Sequence, residues 1–170
     1  MKFEIEKSEF DNIITSMQPF LEKKDASNIT SHIFLEVINN NLLIQSTDLE
    51  MGLKVETDSI IDPIDGKATI NGSNLLGILK RLKNNILLVT IKNNILIIKQ
   101  DKSKFKLPMY DANEYPLFPN INTENSLNIN SIDLVNSIKK ITPAIDSNNP
   151  KFELNGALID IQSSKINLEL

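Results

Sequence analysis

The chain has 170 residues, 41% of them hydrophobic and 24% charged, an ordinary globular balance long enough for one full core and part of a second. It has no cysteine, which excludes disulfides, thiolate metal sites and a cysteine nucleophile. The opening MKFEIEKSEF carries acids where a secretory signal needs its apolar run, and no stretch approaches the ~18 apolar residues of a membrane helix; a cytoplasmic location is the expectation.

The net charge of -4 hides an asymmetry. From Lys67 to Lys106 nine bases (Lys67, Lys80, Arg81, Lys83, Lys92, Lys99, Lys102, Lys104, Lys106) face one acid, Asp101, so this window is +8 and the remainder -12. Such a window is either a solvated surface or a dedicated basic face that attracts a polyanion to one place on an acidic body.

Lys2 to Glu6 alternates apolar and charged residues as a half-buried strand does. A helix follows, with Ser8 expected to cap it, Glu9 and Asp11 in its first turn, and Phe10, Ile13, Ile14 and Met17 as its buried stripe; Pro19 closes it. Ile33 to Ile38 and Leu42 to Ser46 read as strands joined by Asn39-Asn40-Asn41, since asparagine tolerates left-handed backbone angles. A strand from Met51 to Thr57 follows the turn Thr47 to Glu50. Asp62-Pro63-Ile64-Asp65-Gly66 reads as a loop and Lys67 to Ile70 as a strand. Gly72-Ser73-Asn74 opens a second helix, expected to run to about Leu82, with Leu75, Leu76, Ile78, Leu79 and Leu82 on one side and Lys80 and Arg81 toward the other. Strands Ile86 to Lys92, Ile95 to Gln100 and Ser103 to Leu107 follow. Pro108, Pro116 and Pro119 mark the connection out. A further strand near Ser126, a helix from Ile132 to Ile141 and a hairpin from Phe152 to Leu170 complete the order.

The pattern of Phe3 to Ser46 returns at a constant spacing of 124 without a gap: Phe3 on Leu127, Phe10 on Leu134, Ile14 on Ile138, Pro19 on Pro143, Leu35 on Ile159, Ile44 on Leu168. The chain is thus expected to start a second unit and to continue past Leu170. Within the first 107 residues, strand, helix and meander occur twice. The expected fold class is α+β, a pseudo-symmetric unit of antiparallel sheets with two helices on one face.

Catalytic and cofactor chemistry finds little support. The lone histidine, His32, opens an apolar strand and reads as structural, and no metal cluster can be assembled around it. Gly72 stands alone, so there is no phosphate-cradling loop. Asp48 and Glu50 are the best carboxylate pair, but the spacing suits a turn in which Asp48 accepts backbone amides. In Lys104-Phe105-Lys106-Leu107, Phe105 and Leu107 share one face of a terminal strand whose edge invites another strand.

Met1-Lys2-Phe3, Ser46-Thr47-Asp48-Leu49-Glu50-Met51, Ser103 to Leu107 followed by Tyr115-Pro116, and Leu154-Asn155-Gly156-Ala157-Leu158 together resemble the bacterial sliding clamp, the beta subunit of DNA polymerase III. The match is collinear over essentially the whole chain, except that Asp25 to Ser31 lacks the prolines common in the family. The resemblance implies the DNA clamp fold, an N-terminal domain over residues 1–122 and the first part of the middle domain over 123–170. It implies no catalysis and no cofactor. Three such domains per chain, and two chains head to tail, close a ring around double-stranded DNA that tethers the DNA polymerase III catalytic subunit and is placed by a clamp loader. Helices then line the hole, which makes Lys24, Lys80, Arg81, Lys139 and Lys140 the candidate DNA contacts. Ile78, Leu82, Lys104, Phe105 and Leu107 are the candidate half of the subunit interface, and Leu154 a wall residue of the client-peptide pocket. As given, the chain is expected neither to close a ring nor to hold a client peptide well. A protein-interaction module of the same duplicated build, without a nucleic-acid role, is the alternative; a hydrolase using Asp48 and Glu50 is the other.

Overall fold

The computed structural model describes residues 1–23, 28–116, 118, 127–162 and 166–169, and it divides into two units, Met1–Pro119 and Asn120–Leu170. In the first unit the alternating residues of β1 (Lys2–Glu6) bury Phe3 and Ile5 completely. α1 (Lys7–Met17) starts with no intervening loop, so Ser8 lies inside the helix and Glu6 takes the cap position without a capping bond. The amide of Lys7 instead donates to the carbonyl of Asn85 at 3.1 Å, a backbone substitute for the side-chain cap expected at Ser8. Phe10, Ile14 and Met17 form the sealed stripe of α1, with Ile13 at its margin. Pro19 opens a 3-10 turn, Gln18–Phe20, that ends the helix.

β2 (His32–Ile38), β3 (Asn41–Thr47) and β4 (Gly52–Thr57) form a meander. Its first turn puts Asn39 and Asn40 at φ 50° and 64°, and Asn93 and Asn94 repeat the device at 53° and 55° between β7 (Ile86–Lys92) and β8 (Ile95–Gln100). Two consecutive left-handed residues match the twist of a two-residue hairpin. The stretch expected as a loop contains a further strand, β5 (Ile61–Ile64), paired irregularly with β1. Pro63 is tolerated there because β5 is an edge. β6 (Gly66–Asn71) leads into α2 (Gly72–Leu79), whose cap is Asn71 accepting from the amide of Asn74. α2 stops at Leu79, one turn short of Leu82, because the amide and carbonyl of Lys83 are drawn to Gln100. β9 (Ser103–Pro108) ends the set.

The strands form two antiparallel sheets, ordered β5-β1-β7-β8-β9 and β4-β3-β2-β6. Each half therefore lends its first strand to the other half: β1, before α1, lies on β7, and β6, before α2, lies on β2. The registers correspond, with the residue before each helix opposite the first residue of the borrowed sheet, Glu6 on Ile86 and Asn71 on His32. α1 and α2 pack on each other, and Phe10, Ile14, Leu75 and Leu79 share a core with Leu35, Ile70 and Val89. The exchange leaves neither half a core of its own.

After β9 the chain crosses the second sheet. Tyr110 and Thr69 of β6 exchange backbone and hydroxyl bonds at 2.9 Å, the Tyr115 hydroxyl donates toward the carbonyls of His32 (3.1 Å) and Gln45 (3.4 Å), and Phe118 lies against Gly52 of β4. A Cβ on Gly52 would strike the Phe118 ring.

In the second unit the repeat is carried by the helix, its proline turn and the hairpin, while the described residues 127–130 form no counterpart of β1, the strand expected near Ser126. α3 (Ser131–Ile141) begins and ends 124 residues after α1, and the 3-10 turn Thr142–Ala144 with Pro143 stands where Gln18–Phe20 with Pro19 stands. β10 (Leu158–Ile161) and β11 (Ile166–Glu169) pair Ile159 with Leu168 and Ile161 with Ile166, which is Leu35 with Ile44 and Val37 with Leu42 moved by the same 124. The hairpin starts later than expected, because Phe152–Asn155 forms a 3-10 turn. Among the described residues this unit has no counterpart of α2, and Ile138 is 43% exposed where Ile14 is sealed.

Candidate nucleic-acid interface

All nine bases of the Lys67–Lys106 window are exposed, and only Lys67 makes an ion pair among the described residues, at 3.3 Å to Glu36. Surface lysines left unpaired in this way are available to an external anion. Lys80 caps the C-terminus of α2 and Arg81 follows it in a tight turn, with its amide donating to the carbonyl of Ile78 at 2.9 Å. Carbonyls at a helix C-terminus favour cations there. The exposed positions of α1 are Ser8, Asn12, Thr15 and Ser16, all short and neutral, so the exposed positive charge of the helix pair sits at and past the end of α2. Lys139 and Lys140 are exposed in the last turn of α3, with Asp133 in its first turn. Lys24 lies outside the described residues.

β9 is an outer strand of its sheet, with Phe105 opposite Ile98 and Leu107 opposite Leu96 on the core face. Leu107 is already buried, Phe105 half-buried, and Ile78 and Leu82 half-buried against the core. On the other face Lys104 stands directly opposite Lys99, a like-charge pair that disfavours the bare surface. The two edges of this sheet differ. β5 is blunted by Pro63, a break in register and Asp62 at φ 48°, whereas β9 keeps a regular pairing over its whole length.

The acid pair is a turn. Asp48 accepts from the amides of Glu50 (3.0 Å) and Met51 (2.7 Å), which holds its carboxyl below the usual range, the Met51 bond most of all. Thr47 completes it, donating to the carbonyl of Met51 and accepting from the amide of Leu49. His32 is 5% exposed and burial lowers its pKa to about 4, so it is neutral at physiological pH. Among the described residues no set of three His, Asp or Glu side chains is placed to hold a metal, and no helix is long and apolar enough to cross a membrane. Leu154 lies in the Phe152–Asn155 turn and is 50% exposed. Gln100 drew no notice in the sequence; its signal, a polar residue in a buried strand position before a turn, is weak without the contact it makes.

Two sheets that exchange their first strands around a pair of packed helices, with the same motif begun again downstream, define a clamp-type α+β protein. Solved structures of this build agree: the Helicobacter pylori beta clamp bound to a DNA ligase peptide superposes with a TM-score of 0.87 at 42% identity, covering 94% of this chain and 44% of that one. The DNA polymerase III subunit beta of Pseudomonas aeruginosa gives 0.89 at 23% identity, covering 98% of this chain and 45% of that one, a likeness of fold. Residues 1–119 match the family model of the DNA polymerase III beta subunit, N-terminal domain, and the chain belongs to that family. Among curated relatives, the beta sliding clamp of Helicobacter pylori is 43% identical over 159 residues and that of Caulobacter vibrioides 25% over 162. The first covers 94% of this chain and 42% of the relative, so the chain spans less than half the length of these proteins.

Proposed function

We propose that the chain is part of a processivity factor of DNA replication, a ring-shaped clamp that encircles duplex DNA and tethers the replicative polymerase. The observation that carries this is the family match over residues 1–119, supported by the repetition of α1 and its following proline turn at α3. Residues 1–122 and 123–170 are then the first domain and the start of the second of a head-to-tail homodimeric ring. The open edge of β9, with Phe105 and Leu107 behind it and Ile78 and Leu82 nearby, takes an edge strand of the partner subunit, while the blunted β5 edge keeps the contact from forming the other way. Lys104 meets acidic groups there.

Topology holds such a ring on DNA, so its contacts are weak, non-specific and directed to phosphates. Lys80, Arg81, Lys139, Lys140 and Lys24 supply them, and the acidic remainder of the chain repels the polyanion elsewhere. The DNA polymerase III catalytic subunit and the clamp loader are the expected partners, in the cytoplasm. Leu154 belongs to the wall of a client-peptide pocket, a reading supported by the Helicobacter pylori clamp having been solved with a DNA ligase peptide. The test is retention on nicked circular duplex after Lys80→Glu and Arg81→Glu in the full-length protein. Faster loss at unchanged melting temperature is expected; unchanged retention rejects the assignment of those residues.

A further inference from the structure

We infer that Gln100 is a positioning residue, whose buried amide fixes the loop from Lys80 to Asn85 so that its three cations act together on one polyanion; this rests on the duplex-DNA reading above. Gln100 ends β8 and is 5% exposed. Its Oε1 accepts from the amide of Lys83 at 3.1 Å, and its Nε2 donates to the carbonyls of Lys83 at 2.9 Å and Asn85 at 3.4 Å. The side chain thus pairs with Lys83 as a neighbouring strand would. The carbonyl of Asn85 also receives the amide of Lys7, which ties the end of the loop to the start of α1. At its other end the loop is continuous with α2 through the amides of Lys80, Arg81 and Leu82, bonded to the carbonyls of Leu76, Ile78 and Leu79.

Lys80, Arg81 and Lys83 are all exposed between these two anchors, and Gln100 itself stands between Lys99 and Asp101 in the chain, with Lys102 next. Like charges brought this close repel, and an untethered loop relieves that repulsion by splaying. The chemistry of the tether is constrained. A carboxylate at this position could accept from Lys83 but would face two carbonyl oxygens and cancel one positive charge; a lysine could donate but not accept. A neutral amide does both and leaves the field of the cluster intact.

The experiment is a titration of a short fluorescent blunt duplex at several salt concentrations, using the full chain unaltered, with Gln100→Ala, with Lys80→Ala/Arg81→Ala, and with all three substitutions. Gln100→Met, of similar length but without either polar bond, is the second variant should the alanine variant melt below the working temperature. Gln100→Ala is expected to weaken duplex binding about threefold and to lower the salt slope by about one phosphate contact. In the Lys80→Ala/Arg81→Ala background its effect should shrink, because of the three cations it positions only Lys83 remains. Hydrogen exchange at the amide of Lys83 should rise in both backgrounds. An equal loss of affinity in both backgrounds, or faster exchange with no loss of affinity, overturns the inference and leaves the duplex reading standing. Equal affinity of the unaltered chain and Lys80→Ala/Arg81→Ala rejects the assignment of Lys80 and Arg81 as duplex contacts, and the inference with it.

Discussion

The imidazole of His32 lies nearly flat on the ring of Tyr110, with centroids 4.3 Å apart and planes 25° apart. This stack joins the first residue of β2 to the segment that leaves β9, and it places the only histidine of the chain where water is excluded. The Nδ1 atom of His32 has no hydrogen-bond partner among the described residues, which is tolerable for a neutral ring and costly for a charged one.

Stability should therefore depend on pH between the ordinary histidine value of 6.5 and the lowered value of about 4. The unfolded chain binds the proton first as pH falls, so stability is full above 6.5 and drains away on descent toward 4, by at most roughly 3 kcal/mol. Urea midpoints measured across that interval for the natural chain and for His32→Phe, which keeps the stack and cannot titrate, check it. The slope should flatten in the variant; an equal slope in both assigns the acid sensitivity to carboxylates.

Tyr115 holds the same segment, its ring 5.3 Å from Phe34 and its hydroxyl between two carbonyls, and burial raises its pKa to about 12. Tyr115→Phe removes the hydroxyl and leaves the ring contact, so a loss of about 1 kcal/mol is expected in equilibrium unfolding. Tyr115→Ala also removes the buried ring and should cost about 3 kcal/mol or more.

Leu49 is 69% exposed and held at φ 77°, a conformation that burdens a Leu side chain and not a glycine. Leu49→Gly should raise the melting temperature, the relief being about 1 kcal/mol less the added chain entropy of glycine. A lower melting temperature would mean that the side chain has packing value outweighing the strain.

Substitutions on the two sides of α2 should separate cleanly. Leu79→Ala opens a cavity at a fully buried position and should cost about 2–5 kcal/mol. Lys80→Glu, one residue on and exposed, should stay within about 0.5 kcal/mol in thermal melts. That contrast is what allows a loss of duplex retention by the charge variants to be read as electrostatics.

Much of this was legible in the residues. The alternation in Lys2–Glu6, the stripe of Phe10, Ile14 and Met17, the asparagine pairs and the spacing of 124 each rest on local sterics or on a period that one chain displays unaided. The resemblance carried by Ser46 to Met51 and Ser103 to Leu107 pointed to the family that residues 1–119 match. Where local reading failed, a distant partner decided. Ser8 lost the cap because Asn85 offers a carbonyl, α2 ends at Leu79 because Gln100 claims Lys83, and Pro63 sits in a strand because β1 leaves an edge beside it.

The positive window was visible in composition as nine bases against one acid, but its division was not. Only the fold separates Lys80 and Arg81 at the end of α2 from Lys99 and Lys104 facing each other across β8 and β9, and only the fold shows that α1 presents neutral groups. The sequence by itself determined most of the elements, their repetition and the sign of the surface charge, because propensity, periodicity and charge are properties of neighbouring residues. The tertiary structure alone decided that β1 lies on β7 and β6 on β2, since a strand's apolar face specifies that it must be covered and not which distant strand will pair with its edge.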